Sequence, residues 1–156
     1  MDKLKPILDP CCGSRMFYFD KQDDRVLFGD CRNFTDTLCD GRTLEVMPDI
    51  ELDFRNLPFS DESFDLVIFD PPHLRKAGDN SWLKKKYGVL PSEGWEEYLG
   101  QGFAECWRVL SKRGTLIFKW NEEQIRLSRI YPLFPEKPIM GTPRGKTFFI
   151  VFYKRP

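Results

Sequence analysis

At 156 residues the chain is long enough for one domain with a substantial core and leaves little room for a second, so residues 1–156 are expected to form a single domain. Its 24 basic and 24 acidic side chains cancel, which excludes a global field drawing it to nucleic acid or membrane and leaves only local patches for a polyanion. No apolar run approaches the roughly 20 residues of a membrane helix, and 5 cysteines with no C-x-x-C pair argue against a zinc site or a disulfide framework.

Met1-Asp2-Lys3-Leu4-Lys5 opens no apolar signal segment, because Asp9 and Pro10 interrupt at once. A cytoplasmic protein without a membrane partner is therefore expected. Lys5 to Asp9 reads as a short first strand. Pro10-Cys11-Cys12-Gly13-Ser14 follows as a turn of small residues, and Arg15 to Phe19 is expected to open a short helix. A strand ending in an acid, then small residues, then a helix start is the arrangement that brings a nucleoside or dinucleotide close to backbone N–H groups. The G-x-G-x-x-G fingerprint is absent, with Arg15 where a second glycine is usual, which favours a ligand without pyrophosphate.

Arg25 to Asp30 reads as a second strand, again ending in an acid. Asp30 stands about 20 residues beyond the turn, the spacing at which such folds place a carboxylate on a ribose diol. An Asp that only ends a strand and begins the Cys31-Arg32-Asn33 turn reads the same way. Asn33 to Arg42 is expected to hold no more than a helical turn, and Ile50-Glu51-Leu52 a third strand. The Asp53-Phe54-Arg55-Asn56-Leu57-Pro58-Phe59 loop can clamp a purine between a carboxylate and apolar groups, or can plug the core with Phe54, Leu57 and Phe59.

Phe64 to Phe69 then runs into Asp70-Pro71-Pro72-His73. The continuous apolar run from Leu66 to Phe69 suits a strand buried on both faces. Neither proline donates a backbone hydrogen bond, and each pushes its predecessor out of helical space, so the strand must stop there. Asp70 is thereby placed at the carboxyl end of a buried strand, the edge where open α/β sheets bind ligands.

Leu74 to Leu90 is basic and aromatic, with Arg75, Lys76, Lys84, Lys85 and Lys86 interleaved by Trp82 and Tyr87. Such a stretch suits a single-stranded or flipped nucleotide, and equally a solvated loop. Pro91 to Leu110 carries Trp95, Tyr98, Leu99, Phe103, Cys106, Trp107 and Leu110 at helical spacing, with Ser92 as the expected N-cap and Lys112-Arg113-Gly114 as the stop. Thr115 to Trp120 is a buried strand, Asn121 to Ile130 a short amphipathic helix, and Lys137–Met140 with Thr147–Tyr153 a closing β pair.

Asp9-Pro10-Cys11-Cys12-Gly13-Ser14, then Asp30, then Asp53 to Phe59, then Asp70-Pro71-Pro72-His73 resembles the class I S-adenosylmethionine-dependent methyltransferases. The Asp-Pro-Pro corner is similar to the D/N-P-P-Y/F motif of those that methylate exocyclic amines of nucleobases, and nearly the full length resembles compact predicted methyltransferases of phages and mobile elements. The resemblance implies an α/β fold: a Rossmann-like, mostly parallel central sheet with a C-terminal antiparallel β pair and helices on both faces. It implies S-adenosyl-L-methionine as cofactor, held by Asp9, Cys11, Cys12, Gly13 and Ser14 at its methionine end, Asp30 at the ribose, and Asp53 with Phe54 at the adenine. Asp70, Pro71, Pro72 and His73 would form the catalytic corner, and Arg75, Lys76, Trp82 and Lys84 would bind substrate, with no metal. DNA or RNA is the implied substrate. No separate recognition domain is present, so a protein partner would supply target choice. Two alternatives stand beside this: methyl transfer to a small molecule or protein, and a non-catalytic binding module that keeps the fold.

Overall fold

The computed structural model describes residues 4–79 and 81–156. The first three residues of the opening segment, and Asn80 within the basic stretch, lie outside the described residues. A seven-stranded sheet organises the chain. In chain order its strands are β1 (Ile7–Asp9), β2 (Val26–Asp30), β5 (Ile50–Glu51), β6 (Phe64–Phe69), β7 (Leu110–Asn121), β8 (Met140–Arg144) and β9 (Thr147–Tyr153). Across the sheet the order is β5-β2-β1-β6-β7-β9-β8. The first five of these are mutually parallel, and β9 and β8 join antiparallel. The result is a mixed α/β fold with a largely parallel centre.

The helices are α1 (Trp82–Tyr87), α2 (Trp95–Val109) and α3 (Leu127–Ile130), the last running into a 3-10 turn at Tyr131–Leu133. Strand alternation sorts the sheet's side chains onto two faces. On one face Leu8, Val67, Phe69, Leu116, Phe118, Trp120, Ile150 and Phe152 meet Trp95, Leu99, Phe103 and Cys106 of α2 and Leu127, Ile130 and Phe134 beyond β7 in one buried core. Phe103 lies flat on Phe134 with ring centroids 4.1 Å apart, and Phe134 stands edge-on to Phe118. Gly102 lets α2 approach this closely: a Cβ there would come within 2.9 Å of Phe69 Cζ. The Trp120 indole, fully buried, donates to the Ile125 carbonyl at 2.9 Å, as a buried polar atom requires.

The opposite face differs from the expectation of helices on both sides. Its cover is the turn segment after β1: Tyr18 packs on Val26, Phe28 and Cys12, and Phe17 meets Phe149 edge-on. Leu66, Ile68, Ile117 and Val151 on that face are only half-buried, so β6 is sealed on one side and not on both.

Other segments also depart from the sequence reading. Arg15 to Phe19 forms turns, not a helix, because Gly13 and Arg15 both take left-handed φ values of 52° and 58°. The Arg15 side chain fixes this shape by donating to the Lys21 and Met47 carbonyls. In place of a helical turn, Phe34–Thr37 (β3) and Thr43–Val46 (β4) pair as an antiparallel hairpin. Helix α2 starts at Trp95 with Gly94 as its cap in left-handed geometry, so Ser92 does not cap it. β7 begins directly at Leu110, and Lys112-Arg113-Gly114 is an irregularity inside that strand. The helix expected from Asn121 shrinks to α3. The closing hairpin pairs Met140 to Arg144 with Thr147 to Tyr153 around a tight turn at Gly145 and Lys146.

Candidate functional site

β1, β2, β6 and β7 end on the same edge, and their last residues build the site. Asp9 closes β1 and is fully buried. Its Oδ1 accepts from Cys11 N–H at 3.1 Å and its Oδ2 from the Tyr18 hydroxyl at 2.8 Å. Both donors are neutral, so burial dominates and pushes the Asp9 carboxyl up to about 8. Asp30 closes β2 and is 2% exposed. One oxygen accepts from Gly13 N–H at 2.9 Å, which ties the small-residue turn to β2. The other accepts from the Arg32 backbone N–H at 2.9 Å and Nε at 3.1 Å.

Asp70 follows the last residue of β6. Its N–H donates to Cys11 Sγ at 3.2 Å, so the β1 turn and the proline corner are directly joined. Its Oδ2 meets Lys119 Nζ of β7 at 3.4 Å. Burial raises the Asp70 carboxyl above the ordinary carboxylate range, and Lys119 pulls it part of the way back. His73, 5.2 Å from the Tyr87 ring and 6.2 Å from Trp120, is held down to about 4 by burial and then by Lys119. Its imidazole is neutral at physiological pH.

Two voids meet at Asp70, Tyr87 and Lys119. The first, about 30 Å³, is walled by Cys11, Cys12, Gly13, Ser14 and Pro71 with Arg32 and Lys86. The second, about 250 Å³, lies on the far side between His73, Leu74, Leu83, Asn121 and Thr147. A larger groove of about 960 Å³ runs between the turns after Gly13 and the β3–β4 hairpin, and it adjoins the first void at Gly13, Ser14, Met16 and Lys86.

The sequence-derived set therefore converges in part. Asp9, Cys11, Cys12, Gly13, Ser14, Asp30, Asp70 and Pro71 share one corner, with His73 beside it. Asp53 lines neither void, and its carboxylate is paired with the Arg55 guanidinium at 2.7 Å. Phe54 sits in the core against Phe69 and Tyr98. Arg75, Lys76, Trp82 and Lys84 line neither void. The Arg75 guanidinium lies over Trp95, Gln124 Oε1 accepts from both the Arg75 and Lys76 backbone N–H groups, and Lys84 pairs with Asp79. Trp82 is 39% exposed at the start of α1.

Arg32, Lys119, Asn121 and Tyr18 are site residues that the sequence reading passed over. Lys119 had a signal, being the one charge inside an apolar strand beside Trp120. Arg32 had none, since it looks like any turn residue.

In this conformation the first void by itself is too small for S-adenosylmethionine. A void of about 30 Å³ falls far short of the several hundred Å³ typical of ligand pockets. Arg32 occupies Asp30, and its NH1 donates to the Lys85 carbonyl at 3.0 Å, pinning α1 across the Gly13 turn.

No protein-family model and no curated protein matches the chain. Among solved structures, 32 chains match. The PH0226 protein from Pyrococcus horikoshii OT3 superposes with a TM-score of 0.61 at 18% identity, covering 96% of this chain and 81% of that one. A Methanococcus maripaludis protein, provisionally described as an S-adenosyl-L-methionine-dependent methyltransferase, superposes with a TM-score of 0.41 at 13% identity, covering 69% of this chain and 54% of its own. The first likeness shows the fold, and neither carries a function.

Proposed function

We infer that the chain is a class I methyltransferase that uses S-adenosylmethionine to methylate an exocyclic amine of a nucleobase in DNA or RNA. The observation that carries this reading is Asp70. It ends a central strand on a proline corner, and its Oδ1 has no donor among the described residues. It stands where the void beside the Gly13 turn meets a second void large enough for a planar ring. The first five sheet strands, in the doubly wound order 3-2-1-4-5, support the same reading.

When bound, the cofactor supplies an electrophilic methyl group. The chain's own residues supply position and charge. Asp70 Oδ1 and the Pro71 carbonyl accept hydrogen bonds from the two amine hydrogens, which holds the nitrogen lone pair out of conjugation and aimed at the methyl. When the cofactor's sulfur–methyl bond gave way to the new nitrogen–methyl bond and left a neutral thioether, one of those protons would have to leave, and Asp70 is the base within reach. His73 and Tyr87 line the second void and would pack on the base, which must be single-stranded or flipped out to enter. Binding the cofactor requires α1 to move and Arg32 to release Asp30.

The test is calorimetric titration with S-adenosylhomocysteine, followed by transfer of labelled methyl to single-stranded DNA and RNA. Asp70→Asn is expected to lower transfer by about 10²-fold or more while leaving product affinity unchanged. Undiminished transfer by that variant overturns the mechanism.

A second reading, a non-catalytic module that keeps the fold, is favoured by one observation: Arg32 fills the carboxylate a ribose would need. It predicts no binding of S-adenosylhomocysteine by the wild-type chain or by Arg32→Ala.

A further inference from the structure

β6 and β7 run parallel with Phe69 opposite Phe118, so Asp70 and Lys119 are the next residues in register on neighbouring strands. Their side chains meet just beyond the β6 ladder. Both are about one-fifth exposed, at 19% and 20%. The Phe17 ring lies 5.0 Å from Lys119 Nζ. A tight ammonium–carboxylate hydrogen bond closes to about 2.7–2.9 Å. This one stands at 3.4 Å on one oxygen, leaves Asp70 Oδ1 open, and leaves the ammonium with no second acceptor among the described residues. Both residues line the void of about 250 Å³ together with His73, Tyr87, Asn121 and Glu123, whose carboxylate is already paired with Lys146.

An acceptor and a donor side by side, on a void that the His73 and Tyr87 rings also line, define the ligand edge that fits them. That edge carries a donor beside an acceptor in the plane of a ring. We propose that Asp70 and Lys119 act as one reading pair for an –N=C–NH2 edge. The methyl-accepting amine lies on Asp70 Oδ1 and the adjacent ring nitrogen on Lys119 Nζ, so that Lys119 determines specificity.

The proposal rests on the methyltransferase reading and sharpens its substrate class. Adenine and cytosine carry this edge. The Watson–Crick edge of guanine sets a ring N–H beside the amine, which opposes two donors at Lys119 and is rejected.

The test uses the full chain saturated with S-adenosylhomocysteine and three probes: adenosine, 1-deazaadenosine, which lacks the ring acceptor, and purine riboside, which lacks the amine. Wild type is expected to bind adenosine about tenfold or more tighter than either analogue, the effect of one charge-assisted hydrogen bond. Lys119→Met is expected to bind adenosine and 1-deazaadenosine equally while still disfavouring purine riboside, and Lys119→Arg to restore the discrimination. The wild-type comparison does not depend on either variant folding. If wild type binds adenosine and 1-deazaadenosine alike, or Lys119→Met keeps the wild-type ratio, the pairing is wrong while the methyltransferase reading stands. If S-adenosylhomocysteine fails to bind and no nucleoside binds, both fall together.

Discussion

Asp9, buried, and His73, half-buried, stand at the site edge and respond to pH with opposite signs. Asp9 is held protonated up to about 8 in the folded protein, while its unfolded value is 3.8. Its stabilising contribution is therefore complete below about 4 and is lost as pH rises through 8. His73 is held neutral down to about 4 against an ordinary 6.5, so its contribution is present above 6.5 and is lost as pH falls toward 4. Between 6.5 and 8 the Asp9 contribution changes with pH and the His73 contribution does not. Urea unfolding across that range is expected to show wild-type stability falling with pH and Asp9→Asn nearly flat. Equal slopes in the two proteins would mean that the Asp9 carboxyl is not held protonated. The acids at the strand ends were readable from sequence because each stands where an apolar run stops. That Asp53 is spent on Arg55 and that Phe54 faces the core were not, since both depend on which way a loop turns after β5.

α1 buries none of its residues, so polar contacts and ring edges hold it. Arg32 donates to the Lys85 carbonyl, Lys85 Nζ pairs with Asp36 of the hairpin at 2.8 Å, and Tyr87 touches His73. Exposed pairs of this kind contribute about 0.2–1 kcal/mol each, which makes α1 a low-stability element of the fold. Arg32→Ala is expected to speed trypsin cleavage at Lys84 to Lys86 and to tighten S-adenosylhomocysteine binding about two- to fivefold, since closure reduces the competent fraction. Unchanged cleavage would show that Arg32 does not hold the helix.

α2 is the reverse case. Gly102→Ala would drive a methyl into Phe69 and Phe54 and is expected to cost about 1–3 kcal/mol in a urea melt. The apolar stripe of α2 was legible because a 15-residue periodic pattern outweighs local ambiguity. The hairpin at Phe34–Val46 was not. Its alternation is short and polar, and it gains its place from Leu44 and Val46 being buried in the folded chain.

At the scale of the molecule the sheet is lopsided, with helices on one face and turns on part of the other. Phe118→Ala, on the helix-covered face, is expected to cost about 3–5 kcal/mol, and its neighbour Ile117→Ala, on the half-covered face, about 1–2 kcal/mol, both read from denaturant midpoints. The parallel half of the sheet was foreseeable from its apolar runs and proline stop. The bare face was not, because nothing in the 10–25 stretch announces that its crossover will be made of turns. That crossover has a consequence for how the chain reaches its fold. β1 is zipped between β2 and β6, with Ile7 opposite both Val26 and Leu66, and no helix forms locally in the first crossover to bring these strands together. The amino-terminal half thus consists of distant pairings whose loop-closure entropy must be met before they yield any stability. During synthesis it must wait for β6 and β7 to emerge. Until then it presents unpaired strand edges to its surroundings, and folding is expected on the slow, millisecond-to-second side of single-domain rates.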